Sequence, residues 1–174
     1  MRTTGITFGS VSAVAIALVA GCATLGGTEN RATTTLAPTK GNATSGTVTF
    51  VQRGNSVHVV ADIRGLKPNA EHGFHVHEKG DCSSDDAMSA GGHFNPEGVA
   101  HGNAAGHAGD MPNLKADANG NAKASFDSTR MTVADGKLGI VGKGLIVHRD
   151  PDDYTSQPVG NAGPRLACGV IKAA

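Results

Sequence analysis

Three histidines and an aspartate, His93, His101, His107 and Asp110, stand in the run GGHFNPEGVAHGNAAGHAGD, residues 91–110. The rest of that run is small or turn-forming, so packing does not explain the imidazoles. Three nitrogens and one carboxylate make a closed tetrahedral set, the donor set of Zn²⁺. An ion bound there supplies the ordering free energy that missing apolar side chains cannot. A second set starts in GFHVH. His75 and His77 are two apart, so on a strand they share a face. With the later His148 they form a trio that lacks a fourth member. His93 could complete it if its imidazole lost both protons and bridged two metals. A set of four nitrogens open to solvent suits copper, which tops the divalent affinity order.

The elements that must position these residues read as strands. The chain has 174 residues, enough for one domain, with 39% hydrophobic and only 3% aromatic residues and 25 glycines. Such a Gly-rich, Val-rich balance favours strands joined by long loops. GTVTFVQR places Val48 and Phe50 on one face; SVHVVADIR does the same with Val57, Val59, Ala61 and Ile63, and the turn at Gly54-Asn55 makes them a hairpin. EHGFHVHE is a third strand. Residues 79–120 show no periodicity and are expected to form a long loop region, a feature that is usually functional. A second hairpin is expected from 122–127 and 130–133, then a strand over 138–148, a loop over 149–165 and a closing strand over 166–171. Roughly seven or eight short strands with two long loops predict an all-β sandwich or flattened barrel. Zero formal net charge excludes bulk nucleic-acid binding as the chain's role. It leaves room for a local field at a small site.

The N-terminus reads as a targeting segment. Arg2 is the only charge before Glu29, and between them runs an apolar stretch with small residues before Cys22. This is the pattern of a secretory signal, too short and too interrupted for a membrane span. Val19-Ala20-Gly21-Cys22 resembles the bacterial lipobox. That resemblance implies cleavage before Cys22 and lipidation of its thiol, which would hold the protein at a membrane surface without spanning it. Residues 1–21 are therefore expected to be a signal peptide. Residues 22–44, rich in Thr, Gly, Asn and Pro, are expected to be a lipidated cysteine and flexible tether. The folded domain is then residues 45–174. With Cys22 lipidated, Cys82 and Cys168 remain, and an exported protein sits where disulfides persist.

GFHVHEKGDC, GGHFNP, HAGD, LIVH and GNAGPRLACGVI occur in the order of the copper/zinc superoxide dismutase family, which the chain resembles from about Gly46 to Ile171. The resemblance implies a Greek-key β-sandwich, or flattened eight-stranded barrel, with long metal-binding and electrostatic loops. It implies copper on His75, His77, His93 and His148, and zinc on His93, His101, His107 and Asp110, with His93 bridging. It implies a Cys82–Cys168 disulfide, and Arg165 as the arginine that guides the anion. Asp152 is the implied aspartate linking ligands of both metals, with Asp153 as the alternative. His72 matches a structural histidine, while His58 matches nothing and is expected at the surface. The implied activity is conversion of superoxide to O₂ and hydrogen peroxide by alternate reduction and reoxidation of a His-bound copper. The competing reading is an exported copper/zinc buffer or metal donor without turnover. A buffer has no use for Arg165, and a donor is better served by paired thiols. The short zinc loop resembles the bacterial exported branch, whose members occur as monomers and homodimers. That branch implies a periplasmic location, and Ala23 after the cysteine favours anchoring at the outer membrane.

Overall fold

The structure, a computed structural model, describes residues 30–103 and 105–174, together with Met1 and Gly5. Apart from Met1 and Gly5, the expected signal peptide lies outside the described residues, as does Cys22. No helix among the described residues is long and apolar enough to cross a membrane.

Among the described residues there are ten strands and one short 3₁₀ turn, Met88–Ala90. The strands are β1 Arg31–Pro38, β2 Ser45–Arg53, β3 Ser56–Arg64, β4 Glu71–His72, β5 Phe74–His77, β6 Leu114–Lys115, β7 Ala122–Ser128, β8 Gly144–His148, β9 Arg165–Val170 and β10 Lys172–Ala173. One curled sheet runs in the order β5-β8-β9-β1-β2-β3-β7, with β10 also paired to β1, and β4 pairs with β6. The fold is all-β, as the periodicity predicts, and the curled sheet is that of a Greek-key sandwich.

The β2–β3 hairpin forms in the expected register, Phe50 opposite Val59 and Val48 opposite Ala61. All four of these side chains are buried, together with Val57 and Ile63. Leu36, Phe74, Val76, Leu145, Val147 and Ile171 complete the core against them. Alternation places those residues on the inner face and leaves Thr47 and Arg64 outside.

The tether expected over 22–44 is corrected by β1. Residues 31–38 lie mid-sheet, antiparallel to β2 from Arg31↔Val51 to Leu36↔Gly46, and antiparallel to β9 at Ala37↔Cys168. Ala32, Thr34 and Leu36 are its buried face. The alternation is present, but two of its three inward residues are small or polar, so a count of apolar bulk misses it. Threonine is also a strong strand former. The folded domain therefore begins by Arg31 and not at residue 45.

Three further expectations change. The segment 130–133 does not pair with β7; β7 pairs with β3, from Val57↔Ser128 to Ile63↔Ala122. The strand expected over 138–148 is only Gly144–His148. The run at 91–110 is not free of core residues either: Phe94 and Ala108 are buried with Met111 and Leu114 and pin the loop to the sandwich.

Candidate metal centre

His75 and His77 leave β5 side by side, and β8 brings His148 to the same place. The β5–β8 register pairs His75 with Ile146 and His77 with Gly144, and His148 follows at the bulged end of β8. The other edge of β5 is covered by the ends of the His-rich loop. Phe94 N–H donates to Val76 O at 2.8 Å, and Val76 N–H donates to Gly109 O at 3.0 Å. A side chain at residue 109 would overlap the Val76 carbonyl, so the close approach requires glycine there. This pairing lays His93 beside His77 and Asp110 beside His75.

Two sets of four result. In each set the ligand atoms lie within 4.8 Å of one another: His75, His77, His93 and His148 in the first, His93, His101, His107 and Asp110 in the second. All seven side chains are buried. His93 belongs to both. Its Nδ1 lies 2.8 Å from Asp110 Oδ1 in the second set, and its Nε2 is buried with no partner.

In the first set, three outward nitrogens are held by hydrogen bonds. His75 Nε2–H donates to Asp152 Oδ2 at 2.8 Å, His77 Nδ1–H to Gly91 O at 2.9 Å and His148 Nδ1–H to Gly163 O at 3.1 Å. Each bond fixes the tautomer and turns a lone pair inward. His77 Nε2 and His148 Nε2 then face each other at 3.3 Å as two acceptors, an arrangement that needs a cation between or beside them. His75 Nδ1, His101 Nδ1 and His107 Nδ1 are buried without a hydrogen bond. The last two lie 2.9 and 3.3 Å from the Asp110 carboxylate without hydrogen-bonding geometry, as co-ligands of one ion do. Buried polar atoms left unpaired are costly, so both clusters fit a metal ion.

Burial, reinforced by the neighbouring imidazoles, holds His75 and His77 well below the usual histidine range. Burial also takes His148 down to about 4 and lowers His107. Metal-ready neutral rings follow. At Asp110, burial pushes the carboxyl up, but the hydrogen bond from His93 and the surrounding imidazoles outweigh it, and the net shift is downward.

Asp152 is the link between the sets: its other oxygen accepts from His101 Nε2–H at 2.9 Å. It is buried, whereas Asp153 is exposed and instead organises the following turn, accepting from the backbone N–H groups of Thr155 and Ser156. Arg165 is half-buried and donates to the carbonyls of Ala87 and Gly91. Gly91 O thus receives both this guanidinium and His77, which places the cation at the rim of the first set. A cavity of about 440 Å³ opens beside Arg165, lined also by Lys40, Asp86 and Met88 among others. His72 is fully buried and donates from Nδ1 to His148 O at 2.9 Å, a structural part as expected. His58 lies on the outer sheet face against Asp127 and Ser125.

Cys82 and Cys168 are bonded, with Cα atoms 5.8 Å apart. The bridge ties the loop carrying Gly91 to β9, next to Arg165. On the chain-entropy model it contributes roughly 4–5 kcal/mol.

The spacing of histidines gives no sign of the residues that hold the loops. Asn113 clasps Asp152 on both sides of its backbone, at 2.9 and 3.0 Å. Arg130 donates to Asp110 O at 2.6 Å and to Asn103 O at 2.8 Å. Gln157 clasps His101. These contacts join segments distant in sequence, so no local pattern announces them.

A family model described as copper/zinc superoxide dismutase matches residues 44–171. A copper/zinc superoxide dismutase of Paramecium bursaria Chlorella virus 1 is 47% identical over 135 residues, covering 72% of this chain and 71% of the relative. One from Aquifex aeolicus is 42% identical over 134 residues, covering 73% and 78%. Among solved structures, a superoxide-dismutase-like protein from Bacillus subtilis superposes with a TM-score of 0.73 at 35% identity, covering 79% of this chain and 96% of that one.

Proposed function

The chain belongs to the copper/zinc superoxide dismutase family, and from that premise we propose how its residues divide the work of the enzyme. The reaction consumes two superoxide anions and two protons and yields O₂ and hydrogen peroxide. Copper supplies the one-electron redox chemistry when bound, and zinc supplies a fixed positive charge. His75, His77, His93 and His148 would hold copper, a donor set of four imidazole nitrogens. His93, His101, His107 and Asp110 hold zinc, the three-nitrogen, one-carboxylate set.

His93 carries the proposal, because its ring is the one group that both four-membered sets share. Its Nε2 takes up a proton and gives it to the forming peroxide, while Nδ1 stays within the His101, His107 and Asp110 set and keeps the ring in place. Asp152 orients His75 and His101 together, so the two sets keep one geometry. Arg165, still a cation although burial lowers its pKa, draws the anion to the rim and aligns it there.

We also read the N-terminal segment as an export signal with Cys22 lipidated, anchoring the enzyme in the periplasm at the outer membrane. The apolar run ending in Val19-Ala20-Gly21-Cys22 supports this, and mass spectrometry of the protein from membranes tests it.

The test of the metal assignment is superoxide decay by the protein as isolated, after chelation, and after copper and zinc are restored together or singly. Decay should require copper and approach the diffusion limit with both metals. Full metal occupancy without decay would leave only a metal buffer.

A further inference from the structure

His101 sits in a stretch with no strand of its own, so its backbone groups have no ladder to join. They are met by a side chain instead. His101 N–H donates to Gln157 Oε1 at 2.9 Å, and Gln157 Nε2–H donates back to His101 O at 2.9 Å. A primary amide here reproduces the two-bond pairing that a neighbouring strand gives its partner. The same loop reaches the ring, where Asp152 Oδ1 accepts from His101 Nε2–H at 2.9 Å.

Gly160 completes the arrangement. It has φ +65°, and a Cβ there would overlap the Asp152 carboxylate and lie 2.6 Å from His101 Nε2. The chain can fold back over the Asp152–His101 bond only without a side chain at this position. Asp153 holds the turn between: it accepts from Ser156 N–H at 2.8 Å, from the Ser156 hydroxyl at 2.6 Å and from Asn161 Nδ2–H at 3.2 Å. Gln157 itself is exposed and contributes nothing to the core. Its pairing with His101 is therefore its main structural product.

We propose that Gln157 is a positioning residue for the zinc set, which the loop at 152–160 clamps onto His101 by backbone, ring and close approach at once. The inference rests on the reading of His101 as a zinc ligand. The clamp belongs to the loop that leads into Arg165, so retention of the buried ion depends on a segment that itself holds none of its ligands. The backbones of His75, His77 and His148 are set by strand register instead, and of that loop the His75 ring meets only Asp152.

The experiment is release of zinc from the copper- and zinc-loaded protein to a chromogenic chelator, with copper content followed in parallel. The variants are Gln157→Ala and Gln157→Glu, with His101→Ala as reference. Gln157→Ala should release zinc about ten-fold faster, in the range for groups that orient a ligand. Copper content and the unfolding midpoint of the metal-free protein should stay unchanged. Gln157→Glu keeps the acceptor for His101 N–H and loses the donor to His101 O, so its rate should fall between. Unchanged zinc release in Gln157→Ala, or equal loss of both metals, would overturn the clamp. If His101→Ala retained zinc as well as the parent, the ligand assignment itself would fail, a separate result.

Discussion

His75 and His77 stand on a strand with backbone on both sides, whereas His101 and His107 stand on a loop whose neighbours are side chains. In the first set, position is a by-product of the sheet: β8 pairs with β5, the period of two aims both rings to the face opposite Phe74 and Val76, and His148 arrives with its strand. In the second, nothing periodic sets position. Asn113, Arg130, Asp152 and Gln157 do so one bond at a time. The strand-borne set is held by the most cooperative part of the molecule. The loop-borne set is held by contacts that open locally at lower cost, and the ion supplies part of its ordering. His93, at the joint, has one nitrogen in each regime.

Removing both metals should expose this difference most. In hydrogen exchange after chelation, amides of 91–113 and 149–164 should lose protection by about a hundred-fold or more, while β2, β3, β8 and β9 keep theirs. Equal loss in β5 and β8 would show that the strand-borne set is as dependent on its ion as the loop. A smaller effect is expected from Asp152→Asn. A carboxylate accepts from both rings, but an amide oxygen accepts from one while its NH₂ opposes the other. Zinc affinity should drop about ten- to a hundred-fold with copper affinity little changed. Competition titration for each metal would reveal an equal drop in both, which would mean that His75 also relies on the link. The mildest change is Arg165→Ala, which touches neither set. The bimolecular rate should fall about ten-fold and become less sensitive to ionic strength, with both metals bound. Pulse-radiolysis rates across a salt series measure it, and an unchanged salt slope would remove Arg165 from the anion's path.

The amino-acid sequence by itself determined the ligand types, the β2–β3 hairpin and the eligible cysteines. Each of these is a local pattern: an HxH on a strand, an apolar alternation, a count of thiols. It also carried the family's motifs in order, which made the paired metal sets legible before any geometry. Tertiary structure alone decided the rest. It made β1 out of a threonine-rich stretch, because a strand with β2 on one side and β9 on the other needs little apolar bulk of its own. It chose Asp152 over its neighbour Asp153, since two adjacent aspartates differ only in which way the loop turns them. It supplied Asn113, Arg130 and Gln157, whose partners lie between 20 and 56 residues away. A side chain that bonds to backbone imposes no residue type on its partner, so pairings of that kind leave no trace in sequence until the chain has folded.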